Sequence, residues 1–116
     1  MADHNTLGHN GEDFACEYLI SNGFSIVERN WRLHHLEIDI VALRDNIYSF
    51  IEVKTRSADT DPRILLSRSK CNNIRNAALG YMRTHSNVYY MQVDLLFLLK
   101  KPDGSYDVQY FPAVVR

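Results

Sequence analysis

Leu36-Glu37-Ile38-Asp39-Ile40 and, further along, Ile51-Glu52-Val53-Lys54 are two apolar runs interrupted by charge at alternate positions. On a strand, successive side chains point to opposite faces, so Glu37 and Asp39 share one face while Ile38 and Ile40 take the other. The same rule puts Glu52 with Lys54 and turns Ile51 and Val53 away. Asp45-Asn46 tolerates positive φ, and a tight turn there joins a strand over Leu36–Leu43 to one over Ile47–Thr55. A hairpin symmetric about that turn opposes Arg44 to Ile47, Asp39 to Glu52 and Glu37 to Lys54. A slip of one residue would move each set to the opposite face.

Two carboxylates in that register have Cβ atoms on the order of 5 Å apart. In a half-buried sheet such a pair either raises one carboxyl pKa or calls for a cation. A hard divalent ion such as Mg²⁺ answers the need, because it takes one or two carboxylates together with water and phosphate oxygens. Lys54, on the same face as Glu52, is placed to orient or deprotonate a water, or to offset charge developing on a phosphate. Glu37 opposite Lys54 is its natural ion-pair partner. A solvated strand face carries the same alternation without any metal, and that reading stays open.

Outward from this pair, Leu7, Gly11, Phe14, Ala15, Tyr18 and Leu19 recur at helical spacing, and Ser21-Asn22-Gly23 supplies a stop. A strand is expected over Phe24–Arg32. Ser67 caps a second helix whose stripe is Cys71, Ile74, Ala78 and Tyr81. Val88–Leu99 reads as a strand, and Pro102-Asp103-Gly104-Ser105 turns it into a last one over Tyr106–Val115. The order is α-β-β-β-α-β-β, a mixed α/β layer structure with the 47–55 and 88–99 runs central. At 116 residues this is a single domain, 1–116.

Charge is divided along the chain. Met1 to Val53 holds three basic and nine acidic residues, whereas Lys54 to Arg83 holds seven basic and two acidic. A metal-binding half beside a phosphate-binding half fits that division; clustered surface charge is the plain alternative. Arg56 and Arg63 lie in a polar connection over Thr55–Leu66, long enough for a substrate-contacting flap. Arg68 and Lys70 open the second helix, where free N–H groups also favour an anion. Arg75, on the same helix, reads as a plain surface cation. Glu12 follows two helix glycines, Gly8 and Gly11, each of which costs about 1 kcal/mol relative to Ala. Something is expected to approach the backbone there, and Glu12 either joins the carboxylates or simply favours the helix start. His34 and His35, adjacent on a strand, cannot both ligate one ion. Cys16 and Cys71 match no zinc spacing and read as buried free thiols of a reducing compartment. No run approaches the roughly 20 apolar residues of a membrane span, and Met1–Asn10 lacks a secretory pattern, so a cytoplasmic protein is expected.

Gly11-Glu12-Asp13, Glu28-Arg29-Asn30-Trp31-Arg32, Glu37-Ile38-Asp39-Ile40-Val41-Ala42 and Phe50-Ile51-Glu52-Val53-Lys54-Thr55-Arg56, in that order, resemble the YraN-type uncharacterised bacterial family. That family is considered a distant relative of archaeal Holliday junction resolvases, in the PD-(D/E)XK or restriction-endonuclease-like superfamily. The resemblance implies a restriction-endonuclease-like mixed sheet flanked by helices. It also implies Asp39 and Glu52 as metal ligands, Glu12 as an accessory one, Lys54 as the catalytic lysine and Lys70 as an assisting base. Ile38 stands where the superfamily has proline, and Leu36 where many relatives have glycine. The expectation is therefore a Mg²⁺- or Mn²⁺-dependent endonuclease acting on DNA, branched or structured, with Arg56, Arg63, Arg68 and Lys70 on the backbone. The rival is a nucleic-acid-binding repair scaffold of the same fold without cleavage. A homodimer would suit a two-fold junction, with Val93–Leu99 either its surface or a core strand.

Overall fold

The computed structural model describes residues 6–57 and 67–115, with side-chain surroundings for all of these except 6–10, 68 and 115. Helix α1 (Thr6–Ser21) leads into strands β1 (Ser25–Leu33), β2 (Leu36–Arg44) and β3 (Ile47–Ser57); helix α2 (Arg68–Thr84) and strands β4 (Met91–Lys100) and β5 (Tyr106–Val115) follow. The order is the expected one, and strand β3 lies at the centre of a sheet ordered β1-β2-β3-β4-β5. Every neighbouring pair is antiparallel except β3 and β4, which run parallel. A parallel return needs a crossover, and the stretch containing α2 supplies it.

The local signals act as expected. Helix α1 ends where Gly23 takes φ 89°, with Phe24 N–H donating to Leu19 C=O and Gly23 N–H to Ile20 C=O, the paired bonds of a left-handed helix stop. Asp45 and Asn46 both have positive φ, 54° and 66°, the geometry that matches a two-residue hairpin to strand twist. Ser67 accepts from Lys70 N–H at 3.2 Å and caps α2. His34-His35 is not strand but the turn between Leu33 and Leu36, with His34 at φ 57°. Strand β4 begins at Met91, later than expected, although Val88 ahead of it is buried.

The helices cover opposite faces of the sheet. Ala15, Cys16 and Leu19 of α1 pack on Ile40, Ala42, Ile51, Leu96 and Leu98. Ile74, Ala77, Ala78 and Tyr81 of α2 pack on Ile38, Val41, Tyr48, Phe50 and Val93. Tyr81 meets Trp31 and Phe50 edge-on at 5.2 and 5.4 Å, contacts of about 1 kcal/mol each beyond their burial. Gly80 lies so close to β1 that a Cβ there would stand 2.3 Å from Leu33 Cδ2. Val93–Leu99 is core strand, every residue buried, so the surface reading of that run falls. Cys16 is a buried free thiol, but Cys71 is only half-buried and the stripe of α2 passes through Ala77 instead.

Within β2, strict alternation fails. Ile38 belongs to the α2 side and Ile40 to the α1 side, so they do not share a face as expected. Between them stands Asp39.

Candidate active site

The β2–β3 ladder begins in the expected register, Arg44 opposite Ile47, and holds it to Ile40 opposite Ile51. There it stops. Beyond that rung Asp39 turns its side chain toward β3, and its Oδ2 accepts the Val53 N–H at 2.8 Å. A carboxylate thus meets an amide that strand pairing would otherwise have to satisfy. The departure is matched on β1. Its register passes from Arg29–Ile40 to Trp31–Ile38, which sets Asn30 opposite Asp39, and Asn30 takes a left-handed φ of 54°. The sheet opens at Asp39 on its β3 side, while pairing with β1 continues past it.

Glu52 and Lys54, on the next strand, are joined by an ion pair of 2.9 Å between Oε2 and Nζ, with both side chains more than four-fifths buried. Lys70, in the first turn of α2, lies near enough to Lys54 for each amine to shift the other's pKa. Two neighbouring amines do not hold their protons equally. Contact with Lys54, then burial, lowers the pKa of Lys70. Burial also works against the Lys54 ammonium, but its bonds to Lys70 and Glu52 outweigh that and hold its pKa above the ordinary value. Asp39 is pushed up to about 7, first by burial and then by the facing Glu52; the Val53 N–H opposes the shift.

Glu37, Asp39, Glu52 and Lys70 all line one cavity of about 190 Å³. A divalent cation fits the donors present. Asp39 spends Oδ2 on Val53 and Glu52 spends Oε2 on Lys54, which leaves the other carboxylate oxygen of each without a hydrogen bond or ion pair among the described residues.

Other expected residues fall elsewhere. Glu12 accepts from Arg29 at 3.4 Å and Asn30 at 3.3 Å, and Arg29 also pairs with Asp13 at 3.0 Å. Its charge is felt at Asp39, yet among the described residues no three acidic, histidine or cysteine side chains are placed to share a metal. The expected Glu37–Lys54 pair does not form: Glu37 pairs with Arg32 at 3.7 Å and Lys54 with Glu52. The reason is the ladder. Pairing of β1 with β2 continues through Arg32 opposite Glu37, whereas pairing of β2 with β3 has already ended. Gly11 does meet a close neighbour, since a Cβ there would lie 3.0 Å from Thr55 Oγ1. Arg56 is exposed and donates to the Thr55 carbonyl at 2.7 Å. Arg63, most of the expected flap and the Arg68 side chain lie outside the described residues. Sequence reasoning missed Asn73, which lines the cavity. Its signal was its spacing, three residues after Lys70 and so on the same helix face.

Comparison with known proteins places this geometry in context. The family described as Uncharacterised protein family UPF0102 matches residues 11–102. A UPF0102 protein of Flavobacterium psychrophilum is 52% identical over 103 residues, covering 87% of each chain. One from Parabacteroides distasonis is 35% identical over 106 residues, covering 90% of this chain and 88% of that one. Among solved structures, Hjc of Archaeoglobus fulgidus, a Holliday junction resolvase from an archaeal hyperthermophile, superposes with a TM-score of 0.54. The alignment covers 90% of this chain and 76% of Hjc at 22% identity. The fold is the restriction-endonuclease-like one expected from the motifs. No helix among the described residues is long and apolar enough to cross a membrane.

Proposed function

The chain belongs to the UPF0102 family, and from that footing we propose that it is a divalent-metal-dependent endonuclease hydrolysing phosphodiester bonds of structured or branched DNA. The observation that carries this reading is the pair Asp39 and Glu52, lining one cavity where the β2–β3 ladder ends, with Lys54 bonded to Glu52. A bound Mg²⁺ or Mn²⁺ would neutralise the carboxylates and polarise a phosphoryl oxygen. Asp39 and Glu52 are the residues that would hold it. Lys54, whose pKa the neighbouring Lys70 and Glu52 hold above its ordinary value against burial, is suited to donate toward an oxygen gaining charge rather than to abstract a proton. Lys70, at the opening turn of α2, adds a second cationic contact for the nucleic-acid backbone. Likeness of fold to a resolvase supports the reading, but function resides in the site.

One observation favours the rival, a nucleic-acid-binding module without cleavage: Glu12, the expected accessory ligand, is engaged by Arg29 and Asn30 and is not among the residues that line the cavity. Cleavage of labelled duplex, single strand, flap and four-way junction separates the two. Wild type and Glu52→Ala are each assayed with Mg²⁺, Mn²⁺ and EDTA. Metal-dependent cleavage lost in the variant is expected; salt-sensitive binding with no cleavage in any condition would establish the rival.

A further inference from the structure

Glu12 is bound to β1 by two bonds of different kind. Both end on its Oε1, one from the Arg29 guanidinium at 3.4 Å and one from the Asn30 side-chain amide at 3.3 Å. Arg29 has a closer partner in Asp13, at 3.0 Å, so one positive charge there faces two negative ones. Asn30 is neutral. A neutral donor fixes a carboxylate in place without cancelling its charge.

The place where Glu12 is fixed follows from the contacts of α1. Gly11 brings the helix down on β3, where a Cβ at that position would stand 3.0 Å from Thr55 Oγ1. Glu12, the next residue, is held by β1, and β2 lies between β1 and β3 in the sheet. Consecutive residues of α1 therefore touch the strands on either side of β2. On β1, Asn30 falls between the rungs Arg29–Ile40 and Trp31–Ile38, opposite Asp39. Its φ of 54° departs from strand geometry, and asparagine is one of the few residues that adopt such a backbone at low cost. The Glu12 charge is felt at Asp39, behind burial and Glu52 among the influences that raise that carboxyl's pKa.

Resting on the reading of Asp39 and Glu52 as a divalent-cation centre, we propose that Asn30 is a positioning residue for it, holding Glu12 beside β2 as an added negative charge that strengthens cation binding without touching the ion. Glu12 does not line the cavity, so its contribution is Coulombic. A carboxylate at a distance still favours a doubly charged ion, and more strongly where protein rather than water fills the space between them. The same physics explains why the bond comes from an amide. A lysine in place of Asn30 would hold Glu12 as firmly but cancel the charge that the centre uses. Arg29 does part of that cancelling, and Asp13 limits it.

The test is a double-mutant cycle read by Mn²⁺ binding to the metal-free chain, in isothermal titration at low salt without nucleic acid. Glu12→Gln removes the charge, and Asn30→Gly removes the amide while keeping a backbone at ease with positive φ. Each alone is expected to weaken Mn²⁺ binding by about threefold to tenfold. The double variant is expected to bind no more weakly than Glu12→Gln, because Asn30 acts through Glu12. A merely structural role would weaken binding whatever stands at position 12. Arg29→Gln supplies a change of opposite sign that misfolding cannot imitate: with a cation gone, Mn²⁺ should bind about twofold tighter or more. Additive losses, wild-type affinity in Asn30→Gly, or weaker binding in Arg29→Gln would overturn the inference. Glu52→Ala separates it from the reading on which it rests. Mn²⁺ binding that needs Glu52 but ignores Asn30 would leave the centre and remove the positioning role, whereas no binding, or binding indifferent to Glu52, would overturn both.

Discussion

Two aspartates are drawn into this sheet, and their surroundings differ in kind. Asp94 on β4 is fully buried. Its oxygens accept from Gln92 Nε2 at 2.9 and 3.2 Å, from the Ala113 N–H at 2.8 Å and from the Tyr110 hydroxyl. Every one of those donors is neutral, and none belongs to a second acid. Asp39 on β2 is less buried but worse provided for: one backbone N–H, and Glu52 facing it. Burial alone therefore does not mark a reactive centre. A buried carboxylate whose oxygens are saturated by donors ties strands together, here β4 to the irregular end of β5, whereas one left beside another carboxylate is, under the proposed function, the one that would hold a cation.

The largest expected difference is in chemistry. Glu52→Gln, which keeps shape and removes charge, should lower the rate of metal-dependent cleavage by about 100-fold or more, while Asp94→Asn should retain cleavage in whatever fraction stays folded. Rates normalised to folded protein check this. Comparable losses in both would mean that the two acids are not different in kind.

Stability should reverse the ranking. Asp94→Ala leaves the Ala113 N–H and the Tyr110 hydroxyl without their acceptor, at about 1–3 kcal/mol for each orphaned group, and urea unfolding should show it. Asp39→Asn should do the opposite in metal-free protein above neutral pH. An acid whose folded pKa is raised, here from 3.8 to about 7, binds more protons folded than unfolded. Stability therefore falls as pH rises from about 4 to about 7, and then levels. Unfolding free energies at pH 5 and 8 should show this decline in wild type and a weaker one in Asp39→Asn. Added Mg²⁺ should accordingly protect wild type more at pH 8 than at pH 5, because a cation must displace the proton on Asp39.

The smallest effect belongs to Glu37. Its pair with Arg32 is 3.7 Å long, and the Arg32 side chain is 72% exposed. Glu37→Gln should change stability by no more than about 0.5 kcal/mol. A loss of several kcal/mol would show that a third carboxylate shares the burden of the pair.

Much of this was legible in the chain itself, for local reasons. The hairpin register about Asp45-Asn46 could be read because a two-residue turn with both φ values positive leaves one pairing, and the cap at Ser67 and the stop at Gly23 are equally short-range. From that register Asp39 was expected opposite Glu52, but the ladder ends one rung earlier, at Ile40–Ile51, and the two acids meet instead in the lining of one cavity. Less legible was where the ladder ends. The expected Glu37–Lys54 pair and the common face of Ile38 and Ile40 both assumed that alternation continues past Ile40, and no residue between Leu36 and Ile40 announces that it does not. Asn30 carried a hint, being a residue that tolerates a left-handed backbone, but its rung opposite Asp39 exists only once β1 is paired.

By itself, then, the sequence determined the order of elements, the turns, the caps and the acid pair, because each depends on neighbours a few positions apart. The tertiary structure alone decided which partners those acids keep. Glu12 goes to Arg29 and Asn30, Glu37 to Arg32, Lys54 to Glu52 with Lys70 arriving from α2, and a cavity forms with Asn73 and Ile74 on one wall. Those choices depend on how far a ladder runs before sheet twist and side-chain bonding end it, and on where a helix lands after a crossover. Both are settled by packing among distant segments, which no local pattern encodes.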